Sequence, residues 1–242
     1  MVQFSVSNLI SGTIETAQAN RASVLLFIGG LTALGTVLEV GLSPGMIDFA
    51  PLSNLPPSLN TLFGVGAGLG GLLVLVQSVL AHFLLWRAML QNGDLLDLAG
   101  QGHRILPYVG LTILTTLGTM LGFLMLIIPG LLASTRWLAA PAFLLQRDAG
   151  VIESMGNSWR LIKGNSTPII VTYFLASIVA VVLSLFVGIG TVTSASMGLG
   201  SVLTTLFAQI VSNTFTMLQV ALGVYVFRQL TGATDDIGAV FE

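Results

Sequence analysis

The sequence predicts an all-α fold: a polytopic membrane helical bundle of six transmembrane helices, with an N-terminal and a mid-chain amphipathic interfacial helix, in a single integral membrane domain over residues 1–242. Three observations predict it. Hydrophobic residues make up 54% of the chain and charged residues 7%, and the mean hydropathy is +0.95. Soluble domains carry about 25% charged residues, so a surface this poor in charge would not stay solvated in water. Apolar stretches long enough to cross a hydrocarbon core of about 30 Å recur along the chain. The few basic residues fall in alternate gaps between those stretches, as the cytoplasmic preference of Lys and Arg requires.

The chain opens with "MVQFSVSNLISGTIETAQANR", which has neither a basic leader nor a continuous apolar core and is not read as a signal peptide. Phe4, Leu9, Ile10, Ile14 and Ala17 share one helical face, which predicts an interfacial helix over residues 5–19. A frayed terminus is the alternative. Span one follows at residues 22–42, then the proline-broken loop "SPGMIDFAPLSNLPPS", then span two at 62–85. Gly64, Gly66, Gly68 and Gly70 form small-xxx-small pairs, which predict close helix packing near the start of span two. The formal G-x-G-x-x-G from Gly66 to Gly71 lacks the strand, crossover helix and later acid of a dinucleotide site. No nucleotide is expected.

A polar, glycine-broken segment from Arg87 to Arg104 leads to span three at 107–128. Pro129 and Gly130 then predict a tight outer turn. Span four, over 129–146, is the doubtful one: at helical rise it is about 27 Å long. It also carries Arg136, and a central Arg costs about 2.5–3.5 kcal/mol on insertion scales. Charge placement decides. If the Arg136 segment crosses, every Lys and Arg except Arg136 lies on one side. If it does not, Arg147, Arg160 and Lys163 fall on the side opposite Arg21 and Arg87. Six spans with both termini cytoplasmic satisfy the rule; a helix entering and leaving on the same face is the rival.

Asp148 is suited to cap the next helix, at residues 149–163. There Val151, Met155, Ser158, Trp159 and Ile162 form a stripe, with Glu153, Asn157 and Arg160 on another face. Trp159 and Lys163 are the residue types that anchor interfaces. This helix reads as a docking or headgroup surface, or as a plain connector lying on the bilayer. Spans five and six follow at 168–190 and 201–227, joined by the small-residue turn "TVTSASMGLG".

Residues 129–165 carry a likeness. A Pro-Gly pair, a following Arg, the run "AAPAFLL", a short polar turn and "SMGNSWRLIKGN" resemble the YciC-like bacterial inner-membrane proteins. They are also similar to the membrane domain found beside some glycerophosphoryl diester phosphodiesterases. The matching positions are Pro129, Gly130, Arg136, Pro141, Ser158, Trp159, Leu161, Lys163 and Gly164, and the start "FSVSNLI" is similar too. Relatives often place an acid after the "PAFLL" equivalent; here Gln146 stands there, with Asp148 two residues on, so a role for that acid does not carry over. The resemblance implies a bacterial cytoplasmic membrane and a six-helix bundle, and little chemistry. A soluble phosphodiesterase domain is not expected.

Three features inside the spans remain. Arg136 needs a partner or a route to water. Leaning toward its helix N-terminus, it is expected beside Glu39, with Asp48 as second choice. That pairing is either an anion or headgroup site, or a structural ion pair, or the Arg snorkels. Thr205, Gln209, Ser212, Asn213 and Thr216 recur about once per turn in span six. They hydrogen-bond to neighbouring helices or line a hydrated path, and packing is the favoured reading. His82 is read as an interfacial side chain rather than a proton relay.

Catalysis finds no support: no nucleophile elbow, zinc-protease or Walker motif is present, and Asp94 and Asp97 lack a second cluster that would complete a metal site. Cysteine is absent and net charge is −2, with no basic stripe for nucleic acid. The expectation is a non-enzymatic module without cofactor or metal. Its partners would be membrane lipids or other membrane proteins, in envelope or lipid homeostasis. The alternative is a small transporter or channel lined by spans one, four and six. A conduit predicts a continuous polar cavity among those spans; a scaffold predicts that they are packed shut.

Overall fold

A computed structural model describes residues 4–41, 65–91, 102–193 and 199–238, with side chains at several helix ends, including those of Glu39, Gly66, Gly68 and Gly70, outside the described residues. Gly64, Asp48, Asp94 and Asp97 also lie outside them. Every regular element among the described residues is helical. In chain order these are α1 (Val6–Ala19), α2 (Arg21–Gly41), α3 (Val65–Gln91), a 3-10 turn (Gly102–Arg104), α4 (Ile105–Met125), α5 (Ile127–Arg136), α6 (Ala140–Gln146), α7 (Val151–Ile162), α8 (Ser166–Thr193) and α9 (Leu199–Gly238).

Six helical stretches are long and apolar enough to cross a membrane: Arg21–Leu38, Leu72–Gln91, Ile105–Met125, Ile127–Gln146, Ser166–Phe186 and Val202–Gly232. The protein is an all-α, multipass membrane bundle. Its axis is α9, which packs against α1, α2, α3, α6 and α8. Arg87, Arg104 and Arg228 mark the end of the bundle where α3 finishes and α4 begins, called the basic end below. Arg228 on α9 donates to the Met89 and Leu90 carbonyls of α3, and Arg104 pairs with Asp148 there.

α1 starts where the Ser5 hydroxyl accepts from the Asn8 N–H at 3.1 Å, one of the orphan donors at a helix start. Its apolar face packs on the bundle: Leu9, Gly12, Thr13 and Thr16 are buried, mostly against α9 and α8. The helix expected at the interface is thus docked onto protein along that face.

The hairpin of α4 and α5 differs in detail from the expected Pro129–Gly130 turn. The chain reverses at Leu126, which is extended (φ −169°, ψ 157°). Pro129 and Gly130 sit in the first turn of α5, where a missing proline N–H leaves no bond unmade. The two glycines facing each other let the helices touch. A Cβ on Gly122 would lie 2.8 Å from the Gly130 Cα, and one on Gly130 would strike the Phe123 ring. In lipid, where hydrocarbon is no poorer a solvent than a leucine, such backbone approach drives association through dispersion.

The described core lies toward the basic end. Phe83, Trp86 and Met89 of α3 pack there with Phe143 and Leu144 of α6 and Val224 of α9, all buried. Phe83 meets Tyr108 edge-on at 5.3 Å, and Phe143 meets Phe227 at 5.1 Å. Away from that end Leu72, Leu75, Leu117, Leu121 and Val182 are exposed, as residues facing lipid chains are.

Candidate functional site

Span four is broken in the middle, and the break is written in Pro141. A proline lacks the N–H that would bond the carbonyl four residues back, here that of Trp137, and its ring crowds that carbonyl. The Ala140 N–H takes over, donating to the Trp137 carbonyl at 3.0 Å. That leaves the Arg136 carbonyl without its ladder donor, which in an unbroken helix would be Ala140. The Ser158 hydroxyl of α7 fills the gap, donating to the Arg136 carbonyl at 2.6 Å. A freed backbone carbonyl in a membrane is expensive unless a side chain bonds it, so this contact is what lets the break persist.

The same junction settles where Arg136 goes. Its guanidinium carbon lies 4.8 Å from the centre of the Trp159 ring, a cation–π stack, and Trp137 packs beside that ring at 6.0 Å. The Arg136 Nε is buried without a hydrogen-bond partner. The guanidinium therefore turns to α7 instead of leaning toward the outer turn; the Glu39 side chain lies outside the described residues. What spacing alone misses is that α7 folds back along α6, α4 and α5 and reaches the middle of span four.

The residue that caps α7 is Gly150, not Asp148. The Glu153 carboxylate accepts from the Gly150 N–H at 3.3 Å, half of a capping box. Asp148 sits in the left-handed region (φ 52°) and pairs with Arg104, closing the base of the hairpin. α7 buries Ser154, Ser158 and Ile162. Its other side shows Ile152, 72% exposed, and Trp159, 39% exposed, beside the exposed Glu153, Arg160 and Lys163. Gly164 follows in the turn that leads to α8.

Two cavities open inside the bundle. One, of about 560 Å³, lies among α3, α4, α5, α6, α8 and α9, with Trp86, Met120, Phe123, Trp137 and Leu138 on its walls. The other, of about 400 Å³, lies among α2, α3 and α9, with Gln77, Ser78, Gln209, Ser212 and Asn213 on its walls. His82 and Gln219 line both. The conduit expected among spans one, four and six is therefore displaced: the polar stripe of span six faces spans one and two. Asn213 donates to the Thr32 hydroxyl at 3.1 Å, and Gln209 abuts Gly35. So the stripe both packs and lines a cavity.

His82 has a neighbourhood that its place in the sequence did not reveal. It stands between the cavities, edge-on to Tyr108 at 6.3 Å. Across from it the Gln219 amide donates to the Tyr173 hydroxyl at 2.8 Å, tying α9 to α8, and on the same cavity wall the Ser134 hydroxyl donates to the Leu131 carbonyl at 3.0 Å. No protein-family model matches the chain, and no solved structure matches it. Among the described residues no three His, Asp or Glu side chains come together as a metal site.

Sequence reasoning missed Gln77, Tyr173 and Gln219, single polar residues without a repeat to flag them. His82 did carry a signal, since an ionisable side chain within a membrane span is a functional candidate by default.

Proposed function

We propose that this protein is a non-enzymatic membrane module of the bacterial cytoplasmic membrane that interacts with lipids through α7, with the basic end and both termini in the cytoplasm. The observation that supports it is the exposed side of α7. Ile152 and Trp159 are open on a helix that also exposes Arg160 and Lys163, the combination that lies at an anionic headgroup interface. Arg136 backs this surface by holding Trp159 in place. The likeness of residues 129–165 to YciC-like proteins agrees with a role in envelope or lipid homeostasis. Other membrane proteins are a further class of partner for the same surface.

The test is purification into native-lipid nanodiscs followed by mass spectrometry of the retained lipid. Anionic lipid is expected to be enriched over the bulk membrane, and Arg160→Gln with Lys163→Gln to lower that enrichment; on the surface-potential scale each charge is worth about 1 kcal/mol. Retained lipid of bulk composition in both proteins overturns the reading.

A second reading, a small transporter or channel, draws on the two cavities meeting at His82 and Gln219. Toward the basic end the path runs into Phe83, Trp86 and Tyr108, all buried, so a conduit requires that plug to move. Solute flux into proteoliposomes without retained lipid would favour it.

A further inference from the structure

We propose that the two cavities form one binding site for an uncharged, hydroxyl-bearing amphiphile, its head among α2, α3 and α9 and its apolar body among α3, α4 and α9. This is independent of the α7 surface.

Charge comes first. Among the described residues no Asp, Glu, Lys or Arg lines either cavity. An ionised head taken out of water needs a counter-charge, and these walls supply none for a phosphate or a carboxylate. Amides, hydroxyls and one imidazole can meet neutral hydroxyls, which donate and accept alike.

Unmet hydrogen-bonding capacity comes second. The Gln77 Nε2 donates to the Leu31 carbonyl at 3.5 Å, while its Oε1 is buried with no hydrogen-bond partner. A buried orphan acceptor costs about 1–3 kcal/mol, which a donating hydroxyl from a ligand removes. Neither ring nitrogen of His82 bonds another described residue, its one contact of note being the Tyr108 ring; a neutral imidazole offers one donor and one acceptor. Both groups line the smaller cavity.

The division of character comes third. The larger cavity is the more apolar, with Trp86, Met120, Phe123, Trp137, Leu138 and Val220 beside a row of threonines, Thr115, Thr116 and Thr119; the smaller sets its amides and hydroxyls against Phe27, Leu31 and Val74. The volumes, about 400 and 560 Å³, are those of small-molecule sites. Side by side across His82 and Gln219, the more polar and the more apolar cavity together match the outline of a single-headed lipid once those two side chains part. The buried Phe83, Trp86 and Tyr108 close entry from the basic end.

The chain's three tryptophans supply the probe. Trp86 and Trp137 line the larger cavity; the third, Trp159, is on α7. In a Trp159→Phe variant in detergent, a monoacylglycerol with a brominated acyl chain is expected to quench the remaining emission saturably. Unbrominated monoacylglycerol should reverse the quenching, and a lysophosphatidate of the same chain should compete about tenfold less well, a difference of about 1.4 kcal/mol. Gln77→Leu should weaken binding and change the unfolding temperature little, since it removes the orphan acceptor together with only the long bond to the Leu31 carbonyl. The same titration on the unaltered chain, where only the Trp159 share should survive, serves if Trp159→Phe misfolds. Quenching that rises linearly without saturating, equal competition by the charged lipid, or an affinity unchanged by both Gln77→Leu and His82→Leu overturns the site.

Discussion

Gln146 shows what one amide does at the basic end. Its Nε2 donates to the Leu90 carbonyl at 3.2 Å, beside the two bonds from Arg228 to Met89 and Leu90. Together they satisfy carbonyls at the α3 C-terminus, where donors and positive charge are favourable. A carboxylate has no proton to give to Leu90 but gains the Arg228 guanidinium beside it, so Gln146→Glu is expected to cost less than Gln146→Ala, which loses the bond (about 0.5–1.5 kcal/mol) without replacement. Thermal unfolding of the purified variants in one detergent checks the order; Gln146→Ala at least as stable as Gln146→Glu would contradict it. That contact is what Gln146 does in the fold. The sequence could not supply it, because nothing in a one-dimensional pattern sets residue 146 beside residue 90. Arg136 teaches the same lesson from the other direction. Helical rise places its Cα, but its partner Trp159 comes from a helix whose return path no spacing rule predicts.

At the scale of the element, Pro141 and Ser158 are one device. Ser158→Ala leaves the Arg136 carbonyl bare at the break and is expected to cost about 1–3 kcal/mol. Pro141→Ala restores the N–H that Trp137 lacks and lets Ala140 return to Arg136. In that background the serine has nothing left to do, and the second substitution should cost far less than it does alone. A double-mutant cycle on unfolding free energy measures that coupling; additive effects would dissolve the link between proline and serine. The hairpin makes a companion prediction: Gly122→Val must push α4 off α5 at Gly130, and overpacking of this kind costs about 1–3 kcal/mol, read as a lower melting temperature. The helices themselves were legible. Spans one, two, three, five and six, and the helix predicted at 149–163, follow from runs of apolar residues and from stripes. The division of span four into α5 and α6 was not, although Pro141 stood in plain view, because a proline in a membrane helix only ends it when a neighbour takes the freed carbonyl.

For the molecule as a whole, the gathering of cations at one end is a statement about sidedness that a cysteine-free chain makes easy to check. Single cysteines at Lys163 and at Arg21 should both label from the cytoplasmic side of intact cells and not from outside; labelling of either one from outside would separate the two ends of the proposed topology. The cavities were only half legible. The polar stripe of α9 could be counted from sequence, but which helices it faces depends on how α2 and α3 wrap around it. The position of the described core has a mechanical consequence. Drawn apart at Arg228, α3 and α9 should hold and then fail in one step, because Phe83, Trp86, Met89, Val224 and Phe227 are buried together there. Single-molecule pulling would record that as one sharp rupture; a gradual yield would show the packing there to be loose.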